Sequence, residues 1–399
     1  MTETPRPTPP SERIVSLDAL RGFALLGILL INIWVFAMPE DVLFNPNIYG
    51  DFTGVNYAAW LFTHIFAEGK FITLFTLLFG AGIILFTDSK ERKGQEARSL
   101  YYRRTVWLIV IGLAHAHLLW YGDILVAYGV SGLWVITARG WPPRKLLLIG
   151  VGIFAVPSVL ELFVAVQSGA EAIAPQWDPA ASVIQQEVET YRSGWVTQLE
   201  HRVPAAIQRE TTGYVSYSFW RVSGLMLVGM ALYKLGVFTH DRSTAFYRRL
   251  IAGGALGGFA LILAGLVYIS ANDWSAGAAL YWRQFNYWGA PLVSSAYLGG
   301  IFLYAGRRSD GPITRALAAV GRTAFSNYLF QTVVATSIFY GHGLGLFGTF
   351  QRIELLGIVA GIWAVEVVLS VLWLRYYRFG PVEWVWRVLT YRRREPLRK

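Results

Sequence analysis

Four of the six histidines in this 399-residue chain, His64, His115, His117 and His342, fall near one end of neighbouring apolar runs. His115 ends the run "LIVIGLAHAHLLW" and Asp123 opens the next in "YGDILVAYG", so a helix, a tight turn and a second helix would bring them together. A carboxylate that fixes an imidazole's tautomer makes it a better general base, able to take a proton from a hydroxyl or an amine. His64, with Glu68 and Lys70 in "THIFAEGKFITLF", is the rival base from the same side. For any one histidine an interfacial structural role is the competing reading; the gathering with Asp123 raises the group above it. His115 and His117 are two apart and point about 200° from one another on a helix, so they do not form a metal pair, and no metal site is expected.

A second set lies inside apolar runs. In "VSLDALRGFALLGILLINIW" Asp18, Arg21 and Asn32 share one helical stripe, although a charge in a lipid-exposed helix costs roughly 2.5–3.5 kcal/mol. They read either as a structural ion pair with Arg21 snorkelling, or as the lining of a cavity entered from the cytoplasm. Asn327 and Gln331 share a face in "GRTAFSNYLFQTVV", and Glu366 lies deep in the last long run. Together with His342 they form an expected polar network, for substrate or for interhelical hydrogen bonds.

The elements that must position these groups follow from composition. The chain is 54% hydrophobic and 15% charged, with 16 Trp, 21 Tyr and 24 Phe, against about a quarter charged in an ordinary globular domain. This predicts an all-α polytopic membrane protein. Apolar runs long enough to span fall at about 18–38, 66–87, 103–119, 121–138, 144–166, 213–235, 246–270, 286–306, 317–340 and 352–375, giving about ten transmembrane helices. The first run reads as an uncleaved span rather than a signal peptide, because further apolar runs follow it.

Lysine and arginine set the orientation. Lys70, Arg192, Arg202, Arg209, Arg221, Arg283 and Arg352 lie on one side; all the others, apart from Arg21 inside the first span, lie on the opposite side with both termini. Both termini are therefore expected to be cytoplasmic, with a long outward loop at 167–212. The same topology explains the net charge of +10 without nucleic acid. The expected organisation is a disordered tail 1–13, a first five-helix half 14–166, an extracytoplasmic loop or cap 167–212, a second five-helix half 213–391 and a basic tail 392–399. Gly253-x-x-x-Gly257 and Gly254-x-x-x-Gly258 permit close helix approach, inside the bundle by preference and at a homodimer seam as the alternative.

Absent signals narrow the chemistry. There is no cysteine, which removes disulfides, thiolate metal sites and a thiol relay. Gly343–Gly348 spells GxGxxG, but with no preceding strand it is not a dinucleotide site. No GxSxG, HExxH or Walker A sequence occurs.

The stretches "RIVSLDALRGFALLGILLINI", "GKFITLFTLLFGAG", "GLAHAHLLWYGDIL", "GLMLVGMALYKLG", "GRTAFSNYLFQ", "FYGHGLGLFG" and "GPVEWVWRVLTY" resemble the YeiB-like bacterial membrane proteins. The likeness runs over residues 13–391 apart from 167–212. More distantly, Ser16-x-Asp18-x-x-Arg21-Gly22-x-Ala24-Leu25 with Asn32 looks like the first membrane segment of heparan-alpha-glucosaminide N-acetyltransferase. That resemblance implies a helical bundle that takes an acyl group from cytoplasmic acyl-CoA or acetyl-CoA and delivers it across the membrane to a sugar, glycan or lipid, using a histidine on the far side. On this reading Asp18, Arg21, Asn32 and Lys70 line the donor path, with the 88–104 loop at its cytoplasmic mouth. His115 with Asp123, or His64, is the base, and direct transfer and an acyl-histidine intermediate are both open. The expected setting is the cytoplasmic (inner) membrane of a bacterium. The rival reading is a transporter or flippase using the same buried polar groups, and a third is a non-catalytic scaffold.

Overall fold

The computed structural model describes residues 14–399; the expected disordered tail 1–13 lies outside the described residues. Backbone amides in lipid find no water, so they must pair within their own segment, and the described chain does so almost entirely as helix. Residues 14–166 form α1 (Val15–Ala37), α2 (Gly54–Phe66), α3 (Lys70–Glu91), α4 (Ala97–Leu118), α5 (Leu125–Val135) and α6 (Pro143–Ser168). The long loop holds α7 (Ala174–Trp177), α8 (Ala181–Arg192) and α9 (Trp195–Glu210). The remainder forms α10 (Phe219–Lys234), α11 (Thr244–Ala271), α12 (Ala276–Arg307), α13 (Pro312–Arg322), α14 (Ala324–Phe339), α15 (Arg352–Tyr376) and α16 (Pro381–Tyr391). Among the described residues no strand forms, only a single bridge between Tyr377 and Arg398.

Six helical stretches among the described residues are long and apolar enough to cross a membrane: 15–37, 54–91, 143–172, 195–234, 244–271 and 352–376. All ten expected apolar runs carry helix, with continuity that differs from the sequence reading. The second run joins α2 to α3 through a left-handed Gly69, φ +79°. The ninth run is broken at Thr323 into α13 and α14. The two amides following that break are not left unpaired: Phe325 and Ser326 donate to Glu383 Oε1 of α16 at 2.7 and 3.2 Å. A carboxylate on free helix N-terminal amides is also favoured by the helix dipole.

Burial separates the centre from the rim. In α1 sixteen of twenty-three residues are buried, whereas α6 buries only six of twenty-six and exposes Leu148, Val159, Phe163 and Val166. An apolar band of that kind is a face for lipid. Close crossings lock the centre. A Cβ on Gly321 would lie 1.9 Å from the Asp18 carbonyl oxygen, and one on Gly22 2.0 Å from that of Leu317, so α1 and α13 meet backbone to backbone. Gly254 and Gly258 press on α12 in the same way, while Gly253 faces open space; the Gly254–Gly258 pair belongs to the bundle.

The 167–212 segment is a folded cap. Buried Arg202 and Trp195 Nε1 both donate to the Leu118 carbonyl, at 2.6 and 2.8 Å, satisfying an acceptor that the end of α4 leaves free. Gly341 N donates to Tyr191 O at 2.8 Å, and Arg192 Nε to Phe347 O at 2.8 Å. The cap thus holds the α4–α5 turn and the 340–351 loop.

Candidate functional site

The α4–α5 turn builds its own active-looking geometry. Asp123 stands three residues before Val126, and its Oδ1 accepts the Val126 amide at 2.9 Å, capping the start of α5. This fixes the carboxylate and turns Oδ2 toward His115 Nδ1, 2.7 Å away. The side chains of His115 and Asp123 are 1% and 2% exposed. An ionised carboxylate can only accept, so in the tautomer that a neutral imidazole adopts beside it Nδ1 carries the proton and Nε2 presents its lone pair. Facing it, 3.0 Å away, is the hydroxyl of Thr332 on α14. Hydroxyl, imidazole and carboxylate therefore stand in line, the order in which an imidazole activates an alcohol. The Tyr328 ring lies 5.1 Å and the Trp120 ring 6.4 Å from the imidazole, centroid to centroid.

His64 has a different setting. Its Nδ1 is 2.6 Å from Glu68 Oε2, and its ring is stacked between Trp60 at 5.0 Å and Trp282 at 5.3 Å. Its Nε2 is buried and has no hydrogen-bond partner among the described residues. Lys70 is fully buried and donates to His64 O and to Asn286 Oδ1, both at 2.6 Å. Lys70 opens α3 at the cap end, as its place among the outward basic residues predicts, whereas Asp18 and Arg21 open α1 at the other end, and its ammonium ties α3 to α2 and α12.

Asp18 and Arg21 pair at 3.0 Å, as their three-residue spacing predicts. Asn32 is half-buried in α1, and its side chain makes no hydrogen bond to any described residue. Leu25, on the same stripe, belongs to one buried cluster with Leu108, Leu125 and Tyr328, so the stripe faces the side on which His115 stands. Asn327 donates to Ser370 Oγ at 2.9 Å and Thr323 Oγ1 at 3.1 Å. Gln331 Nε2 donates to fully buried Glu366 at 3.0 Å, which supplies the partner that the sequence left unnamed. His342 is not in this network. It is exposed on the 340–351 loop, with only a ring edge contact to Tyr340.

The expected gathering of histidines resolves into separate partnerships. His117 pairs with Glu210 of the cap at 3.0 Å, away from His115, and no hydrogen bond or ring contact joins two of the four among the described residues. No group of three or more His, Cys, Asp or Glu residues positioned to hold a metal occurs among them either. At the opposite end of the bundle a cavity of about 740 Å³ is lined by Arg98, Arg139 and Lys234 together with Asp88, Glu91 and Asp241, so part of the 88–104 loop does border a space there.

Comparison with known proteins places these residues in a family. The Escherichia coli (strain K12) protein YeiB, described as uncharacterized, is 35% identical over 395 residues, covering 96% of this chain and 98% of the relative. The chain belongs to the YeiB-like family. A second relative, YxaH of Bacillus subtilis (strain 168), is 30% identical over 410 residues, 99% of this chain and 98% of its own length. A 39.9 kDa protein from the amylase 3' region of Bacillus acidopullulyticus is 26% identical over 390 residues. The family described as a protein of unknown function (DUF418) matches residues 232–393. That match includes Thr332, Glu366 and Glu383, whereas His115 and Asp123 lie within the full-length YeiB-like likeness only.

Sequence reasoning missed Thr332. A threonine in an apolar helix carries no signal, and its relation to His115 spans 217 positions. It also missed Glu383, although "GPVEW" and "GRTAFSN" are two of the YeiB-like stretches, and the structure now explains them as the two halves of one cap.

Proposed function

We propose that this YeiB-like protein is a membrane-embedded acyltransferase. It takes an acyl group from a thioester, acyl-CoA or acetyl-CoA arriving from the cytoplasmic side, and passes it to a hydroxyl or amine of a sugar, glycan or lipid at the opposite face. The observation that carries this reading is the enclosed pair His115–Asp123 with its Nε2 facing a hydroxyl. His115 Nε2 takes the acceptor's proton as the acceptor attacks the acyl carbonyl. Asp123 holds the tautomer and stabilises the imidazolium that forms, and its own position is held by the Val126 amide. His64 is the weaker base, since Glu68 is 36% exposed and the ring is stacked between Trp60 and Trp282. The Asp18–Arg21 pair and Asn32 give the donor's polar arm a partnered path along α1 toward His115. The basic residues at the end opposite the cap support a donor from the cytoplasm, and the bacterial relatives support a bacterial inner-membrane setting.

The test is calorimetric binding of CoA and acyl-CoA to the purified protein, together with thiol release from acetyl- and longer-chain acyl-CoA in the presence of glucosamine or membrane lipid. His115→Ala should lower turnover at least about 100-fold while CoA still binds, and Arg21→Ala should weaken the binding. A folded protein that neither binds CoA nor releases thiol overturns the reading. Transport is the second reading, favoured by the buried Gln331–Glu366 pair and the helix break at Thr323; coupled solute uptake lost in Glu366→Gln, without CoA binding, would establish it.

A further inference from the structure

We infer that Thr332 is the group that carries the acyl chain between donor and acceptor, as a threonyl ester formed by the Thr332–His115–Asp123 line. This deepens the acyltransferase reading and rests on it.

The protein supplies its own controls. A threonine inside a helix ordinarily turns its hydroxyl back onto a carbonyl one turn earlier. Thr73, Thr76, Thr87 and Thr105 do so here, at 2.6, 2.7, 2.9 and 2.9 Å. Thr332 lies 3.4 Å from the Tyr328 carbonyl and 3.0 Å from His115 Nε2, so its better partner is the imidazole. Three hydroxyls among the described residues meet a histidine nitrogen: Ser16 on His240, Tyr191 on His201 and Thr332 on His115. Of these three histidines only His115 has a carboxylate on its other nitrogen.

Two donors nearby have nothing to donate to. Trp120 Nε1 is buried without a partner, and Tyr328 Oη, although the Ile124 amide donates to it, has no acceptor for its own proton; both belong to rings flanking the same imidazole. An indole N–H can only donate, and a buried unpaired donor calls for an explanation. The negative oxygen of a tetrahedral adduct at Thr332 is an acceptor that supplies one.

The chemistry closes. The Thr332 hydroxyl proton passes to His115 Nε2 as Oγ bonds to the thioester carbonyl carbon. The carbon–sulfur bond then breaks, and the departing thiolate takes that proton back from the imidazolium. In the second half the acceptor's O–H or N–H gives its proton to the same Nε2 while its oxygen or nitrogen attacks the ester. Thr332 Oγ leaves and recovers the proton. Asp123 stays ionised throughout.

The experiment mixes the full-length protein, in detergent, with acetyl-CoA and no acceptor, quenches, and maps acetylated peptides by mass spectrometry while thiol release is followed in time. The expected result is a burst of thiol stoichiometric with protein and acetylation on Thr332. Thr332→Val, close in shape, should lose both and reduce acyl transfer about 100-fold or more, and Thr332→Ser should restore them. Matching melting curves and elution profiles establish that the variants fold. Transfer that persists within about tenfold in Thr332→Val, or acetylation found on His115 instead, overturns the inference and leaves the acyltransferase reading standing. Absence of CoA binding and thiol release in the wild-type protein removes both.

Discussion

Of the three histidine–carboxylate pairs toward the cap end of this bundle, two have nearly equal, short contacts: 2.6 Å for His64–Glu68 and 2.7 Å for His115–Asp123, against 3.0 Å for His117–Glu210. They differ in everything around the contact. Glu68 is one turn from its histidine on the same stretch of chain and reaches the surface. Asp123 comes from the turn that leads into the next helix, is enclosed, and has its second oxygen fixed by a backbone amide. His64 is clasped by two indoles and its far nitrogen faces no partner, while His115 has a hydroxyl there. A short imidazole–carboxylate contact is therefore not in itself a sign of catalysis. What separates the two is whether the free nitrogen meets something it can deprotonate.

The comparison breaks most decisively at the carboxylates. Asp123→Asn would let His115 carry its proton on the wrong nitrogen, and acyl transfer should fall about 10³–10⁴-fold, as for other imidazoles so deprived. Glu68→Gln should change it less than tenfold. Equal losses in the two variants, measured as thiol release at saturating acyl-CoA, would erase the distinction. The next effect is on stability. His64→Ala leaves a void between Trp60 and Trp282 and should cost roughly 2–4 kcal/mol, by analogy with other large-to-small buried substitutions, with turnover per folded molecule retained. Thermal melting read alongside activity separates the two, and a fully folded but inactive His64→Ala would move the base from His115 to His64.

How far the sequence reached follows from the separation of the partners. Helical bundle character follows from composition alone. The Asp18–Arg21 pair is three residues apart and the His115–Asp123 pair eight, so helix geometry and one short turn suffice to read them. Thr332 lies 217 positions from His115, and Trp282 meets His64 across a comparable gap. Such contacts depend on which helices adjoin and how they rotate, and apolar helices have no amphipathic stripe to set that rotation. Lys70 shows the same limit: its side-chain acceptor Asn286 lies 216 positions away, beyond what local spacing can read.

The smallest effect concerns how the cap treats the two sites. It clamps the His115 turn through Arg202 and Trp195 on Leu118 O, and reaches the His64 side through Trp177, whose ring lies 6.3 Å from that of Trp282. Cap and bundle also meet at a group of acids, where Glu187 of α8 accepts the Glu40 amide at 3.1 Å and Arg209 pairs with Glu40. Burial, reinforced by Glu40, pushes Asp41 from an ordinary 3.8 up to about 6. Burial likewise pushes Glu187 from 4.5 up to about 7, with the Glu40 amide opposing the rise and the Glu40 and Asp41 charges adding to it. A raised folded-state pKa means that the folded cap binds protons more tightly than the unfolded chain. The stability these acids contribute is then complete below about pH 4 and lost as pH rises through about 6 to 7. Amide exchange in α8, after correction for its intrinsic pH dependence, should be several-fold faster at pH 8 than at pH 5, and Glu187→Gln should remove most of that difference. Because Leu118 is held directly by cap side chains, the α4–α5 turn should loosen with α8, while α2 around His64 should not. Equal loosening at both would mean that the cap guards the two histidines alike, and that its grip on Leu118 is no special attachment to the His115 site.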